Sequence, residues 1–234
     1  MSQIIATRHR ATPVPSRAAT STTTRVLLAC GLVAGPLFAI VGIAQMLTRP
    51  GFNILRHPLS VLSNGDLGWV QITNFEIAGL LYVGFAVGTW RLLHPGRAGT
   101  WGPLLLGIFG LGMIGAGIFV LDPGLGFPPG TPQAAPQSLS WHGGLHLLTS
   151  SIAFASLIAA CFVFARRFAG LQQTGWAGYS VATGVYFLVG ILGSLLSGGQ
   201  PLFLVNFGIS VLLALTWATA LAARLTRELR ERLA

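Results

Sequence analysis

The chain has 234 residues, of which 53% are hydrophobic and 8% charged, with mean hydropathy +0.71. A soluble domain carries about 25% charged residues. This chain lacks the polar groups to cover a water-facing surface, which excludes an ordinary soluble enzyme, and it is too apolar for disorder. Fourteen basic residues, all arginine, stand against five acidic ones, for a net charge of +9. In so apolar a chain that excess reports membrane topology rather than nucleic-acid binding.

In chain order, residues 1–24 are rich in Thr, Ser, Ala and Arg and include Pro13 and Pro15. They predict a disordered basic arm near anionic lipid. Six apolar stretches follow, at residues 26–47, 72–93, 101–121, 142–164, 176–196 and 202–223. Each has the roughly 20 residues that a membrane-spanning helix needs. Their length and their lack of alternation exclude barrel strands. The expected fold is an all-α polytopic bundle of six transmembrane helices. Residues 224–234, with Arg227, Glu228, Arg230 and Glu231, read as a short basic helical tail carrying charge pairs three and four residues apart.

Between the first two spans, Pro58 starts a helical turn and Ser63-Asn64-Gly65 stops it. Leu59, Val61 and Leu62 would then dip back toward the bundle as an interfacial or re-entrant element. Residues 122–141 carry five prolines and three glycines, which excludes regular helix or strand. This second loop is either a lid over the same face or a stiff tether.

With six spans, twelve of the fourteen arginines fall on one side and only Arg49 and Arg56 on the other. The positive-inside rule therefore places both termini in the cytoplasm. Trp69, Trp90, Trp101, Trp141 and Trp176 sit at span ends, where amphipathic rings prefer the interface. Small-residue pairs such as Gly31/Gly35 and Gly84/Gly88 predict close helix packing within the bundle. Cys30 and Cys161 read as small buried apolar residues without a disulfide.

Applied to the remaining polar residues, this topology gathers them on the extracytoplasmic side. Glu76 lies near the start of span two, Asp122 ends span three, His142 and His146 open span four, and Asn206 enters span six. The first outer loop adds Arg56, His57, Ser60 and Asp66. Ionisable groups inside a membrane are costly and mark function. Glu76 would seek Arg56 or a histidine. His142 and His146, four residues apart, share a helix face and have the spacing of two zinc ligands, with His57, Asp122 or Glu76 as a third. The pair lacks the Glu of the H-E-x-x-H motif.

The run Arg56-His57-Pro58-Leu59-Ser60-Val61-Leu62 is followed by Gly65, Gly68-Trp69, Gln71, Asn74-Phe75 and Gly79. With Asp122-Pro123 and His146, it resembles the hallmark of the bacterial multi-pass proteins that share domain of unknown function 998. The resemblance covers roughly residues 26–223 and implies a six-helix bundle in a bacterial inner (cell) membrane. It brings no reaction with it, but it singles out His57, Ser60, Asp122 and His146.

Three readings of function follow. The first is an outward-facing polar site that binds a small or lipid ligand. The second is a zinc-dependent hydrolase or transferase acting on lipid. The third is a structural or accessory protein whose outer charges lock loops. The expected partners are the bilayer and such a ligand, with no nucleic acid. A wide apolar pocket with scattered polar groups would favour ligand binding. Converging histidines and a carboxylate would favour metal.

Overall fold

A computed structural model describes residues 17–234, with side chains from residue 21 onward. Six α-helices account for most of it: α1 Arg17–Thr48, α2 Gly68–Leu93, α3 Trp101–Ile118, α4 Trp141–Gly170, α5 Thr174–Leu196 and α6 Pro201–Leu233. No strand occurs among the described residues. Each helix is long and apolar enough to cross a membrane. In lipid a helix satisfies its own backbone hydrogen bonds, and this favours it over any open extended segment.

The helix limits follow local chemistry. Pro201 sits in the first turn of α6, where its missing N–H costs nothing. α3 stops at Ile118, three residues before the expected end of its span, because Phe119 turns to an extended backbone with ψ 98°. α6 runs unbroken through the expected tail to Leu233. The proposed basic arm needs correction at one end: residues 17–24 are helical and continue α1. Residues 1–16 of that arm lie outside the described residues.

Each helix packs on the next in chain order, and α6 closes the circle against α1. The result is a ring rather than a layered bundle. Small residues allow the close approaches that lipid-phase packing requires. α2 and α3 meet where Gly79 and Gly110 face each other. A Cβ on Gly79 would lie 2.6 Å from the Gly110 carbonyl, and one on Gly110 would lie 2.7 Å from the Gly79 carbonyl. Gly31 and Gly35 of α1 face Phe85 of α2 and Ala222 and Thr219 of α6, inside the bundle as expected. Trp217 of α6 is fully buried and donates its indole N–H to the Ser180 hydroxyl of α5 at 3.0 Å.

The two long loops lie together at one end of the ring, here termed the loop end. The first forms the expected turn, as a 3₁₀ helix Leu59–Ser63 flanked by Pro58 and Asn64. Gly65 follows with φ +74°, a conformation that favours glycine. Val61 and Leu62 are buried, and Phe127 of the second loop seats on them with full burial. The second loop is therefore more than a tether: it drapes over the first and seals it.

At the opposite end, Arg167 of α4 pairs with Glu228 of α6, its Nη2 donating to both carboxylate oxygens at 2.8 and 2.9 Å. Arg232 joins the same carboxylate and also donates to the Leu92 carbonyl of α2.

Candidate functional site

The polar residues at the loop end satisfy backbone groups. His146, from the second turn of α4, is 3% exposed. Its Nδ1–H is shared between the Ala116 carbonyl at 3.0 Å and the Phe119 carbonyl at 2.8 Å. These belong to the end of α3, whose last carbonyls have no helical partner. His146 thus caps α3 from the neighbouring helix. With Nδ1 protonated, Nε2 of the neutral ring is an acceptor, on a side chain that lines the cavity described below.

Asp122 performs the reciprocal task for α4. Its carboxylate accepts from the Ser140 N–H at 2.8 Å and from the Ser140 hydroxyl at 2.5 Å, while Ser140 Oγ accepts from the Gly143 N–H. A carboxylate at a helix N-terminus also complements the helix dipole. Glycine at 143 leaves room for this carboxylate, which a Cβ there would force to shift.

His57 joins the two loops. Its Nδ1 accepts from the Asn53 N–H at 2.9 Å, so Nε2 carries the proton and donates to the Leu125 carbonyl at 2.9 Å. Arg49 donates to the carbonyls of Leu62 and Asn64, where the 3₁₀ turn ends, and lies over the Phe127 ring. Burial lowers the pKa of its guanidinium from the ordinary value, and the Asp66 charge opposes that shift. Arg56 is exposed and reaches Gln133 of the second loop at 2.9 Å.

Several expectations are corrected here. Arg56 does not pair with Glu76; Glu76 packs against Gly117 of α3 and has no ion-pair partner among the described residues. The zinc ligands His142, His146 and His57 do not converge. His57 has both nitrogens on backbone groups, and His146 is turned under α3. His142 is exposed at the rim, against Trp141 with ring centroids 3.5 Å apart. Among the described residues, no three His, Cys, Asp or Glu side chains come together to hold a metal ion. Asp66 is exposed, and Asn206 accepts from the Tyr186 hydroxyl at 2.6 Å, joining α5 to α6.

Beneath these clamps the ring encloses a cavity of about 250 Å³. Its floor and walls are apolar, from Phe109 and Met113 of α3, Leu157 of α4, Phe187 of α5 and Leu215 of α6. Pro58, Leu59 and Ser60 of the 3₁₀ turn roof it. The polar lining comprises His146, Ser60, Ser150, Ser151 and Ser194. A smaller chamber of about 140 Å³ lies between α1 and α6 and shares Phe38, Leu59 and Phe207 with the first. Of the residues expected at the site, only Ser60 and His146 line the main cavity, and His57 lines the side chamber.

The cavity serines were missed, while Gln71 and Asn74 stood in the motif run without their cluster with Gln45 being recognised. Ser150, Ser151 and Ser194 lie within apolar spans, and their hydroxyls there were the available signal. Gln71 and Asn74 form a buried amide cluster with Gln45: Gln45 Nε2 donates to Gln71 Oε1 at 2.7 Å, and Asn74 Nδ2 to the Phe38 carbonyl at 3.2 Å. The cluster holds α2 to α1 behind Phe38, which lines both chambers.

Six apolar helices and a closed core define a multi-pass integral membrane protein. A family model described as protein of unknown function (DUF998) matches residues 32–224. The chain belongs to that family. No curated protein and no solved structure matches it.

Proposed function

We propose that the protein binds a lipophilic ligand in the cavity of its helix ring. The carrying observation is an apolar chamber of about 250 Å³ with a few hydroxyls and one histidine in its wall. With the adjoining chamber it falls within the roughly 300–1,000 Å³ of small-molecule sites, which are mostly apolar with a few placed polar groups. On this reading the clamps built by His57, Arg49, Asp122 and His146 keep the roof shut and the walls spaced. The arginine distribution supports a loop end facing away from the cytoplasm, in a bacterial inner membrane.

Native mass spectrometry of protein extracted from its membrane tests the reading. A co-purifying lipophile is expected, and Ser150→Phe, which projects a ring into the chamber from a half-buried position, should remove it. Protein that carries no such mass, or that keeps it in Ser150→Phe, would overturn the proposal.

A further inference from the structure

The wall of the main cavity is incomplete along one seam. Leu147 and Ser151 of α4 and Leu195 of α5 line the chamber and are also exposed on the flank of the ring, Leu195 to 73%. Toward the other end, α4 and α5 close up, with a Cβ on Gly184 only 3.1 Å from the Cys161 side chain. The rings of Phe154 and Phe187 meet at 5.3 Å between these two levels. The flanking seams are shut near the loop end. Gly115 of α3 lies against Thr149 of α4, and Tyr186 of α5 is bonded to Asn206 of α6. The roof is shut as well, by Val61, Leu62 and Phe127. The gap between α4 and α5 thus leads from the chamber to the lipid.

The hydroxyls around this gap differ from most of those elsewhere in the helices. Thr149, Ser156, Ser180, Thr183 and Ser210 each donate to a carbonyl three or four residues earlier. Ser150, Ser151 and Ser194 have no such bond among the described residues, and neither does Ser60. In a lipid-embedded chamber an unpaired hydroxyl is costly, so these groups ask for a partner from a ligand. Ser194 stands at the loop end and Ser150 and Ser151 lie level with Met113, since Gly112 packs on Thr149 and Ala153, while Phe109, Leu157 and Leu215 line the chamber further from the loop end. Among the described residues, no charged side chain lines either chamber. Among the described residues, none with a hydroxyl lines the smaller chamber, and both nitrogens of its His57 are taken.

We propose that the ligand is a membrane amphiphile, an acyl chain joined to a neutral ester or amide head, and that it enters sideways from the bilayer between α4 and α5. The chain would lie among the phenylalanines, with the head at Ser150, Ser151 and Ser194 and at the acceptor nitrogen of His146. This deepens the ligand-binding reading above and rests on it.

The test places the full chain in vesicles of phosphatidylglycerol and phosphatidylethanolamine. These are doped with a monoacylglycerol whose chain carries a diazirine, and light-driven adducts are mapped by peptide mass spectrometry. Adducts on Met113 and Leu157 are expected. Ser151→Trp should plug the seam and cut those adducts about tenfold, the equivalent of about 1.4 kcal/mol. Ile152→Trp, on the lipid-facing side of the same helix, should leave them unchanged. Ser150→Ala with Ser194→Ala should lower monoacylglycerol labelling about fivefold per lost hydrogen bond of about 1 kcal/mol. A diazirine-bearing alkane should label the wild type more weakly. Undiminished deep adducts in Ser151→Trp would overturn the lateral route, as would their loss in Ile209→Trp at the α1–α6 chamber instead. Equal labelling of wild type by the alkane would overturn recognition of the head. If neither probe marks Met113 or Leu157 in wild type, the binding reading itself fails.

Discussion

Replacing His146 by Phe keeps an aromatic ring of similar size but deletes the N–H that two α3 carbonyls share. Both bonds are of ordinary length, 2.8 and 3.0 Å, and the residue is 3% exposed, so water cannot substitute. Leaving a buried acceptor unpaired costs about 1–3 kcal/mol. One bifurcated donor serving two carbonyls should therefore be worth about 2–3 kcal/mol. For a chain of this size the loss should lower the melting temperature by about 4–12 °C. His146→Asn supplies the informative contrast. Its short side chain places an amide N–H near the position of Nδ1, and it should recover about 1 kcal/mol of the loss. Thermal unfolding of the detergent-solubilised protein, followed by tryptophan fluorescence, measures both variants. A stability of His146→Phe within about 0.5 kcal/mol of wild type, the ordinary scatter of neutral substitutions, would refute the capping role. So would an Asn variant no better than Phe. Either result would return His146 to the list of residues held for chemistry.

The other predictions use the same unfolding measurement. Gly143→Ala should destabilise by about 1–3 kcal/mol, because its methyl enters the space of the Asp122 carboxylate; combined with Asp122→Ala, it should cost less than the sum of the two single changes. Glu228→Gln removes the charge that balances the mostly buried Arg167 guanidinium and should cost about 2–3 kcal/mol, somewhat below the fully buried case because the Glu228 side chain is 16% exposed. Trp217→Phe removes the bond to Ser180 from a fully buried site and should cost about 1–2 kcal/mol, with most of the effect absent in a Ser180→Ala background. Arg56→Ala, by contrast, should change stability by less than about 0.5 kcal/mol, since its contacts with Gln133 are exposed.

Hydropathy alone carried the architecture, because a bilayer demands about 20 apolar residues per crossing and tolerates little else. The 3₁₀ turn was equally legible, since Pro58 and Gly65 punctuate it by backbone geometry rather than by tertiary contact. The site was only half legible. One-dimensional topology placed His57, Asp122 and His146 at one depth but not in one direction. At i, i+4 spacing His142 and His146 share a helix face; even so, a single turn puts one on the rim and the other beneath α3. His57 and His146 are held by backbone carbonyls from other elements, and a carbonyl leaves no mark in an amino-acid sequence. The cavity was illegible for a similar reason: it is the space left when six helices form a ring, lined by ordinary Phe, Leu and Met. The three serines in its wall were visible as letters, but that they line a cavity and make no back-bond there shows only in three dimensions.

The closure of the ring by α6 against α1 also has a consequence for how the molecule is built. The helices emerge from synthesis in the order in which they pack, so each finds its neighbour at once until the last. Until α6 arrives, Gly31 and Gly35 lie along an open edge of α1, and the chamber has no wall at Phe207, Val211 and Leu215. A partial product would present that edge to any passing helix of the same kind, including the sixth helix of another copy. The chamber is thus walled on that side only once α6 has packed, and the seam that α6 closes against α1 is where misassembly between chains would begin.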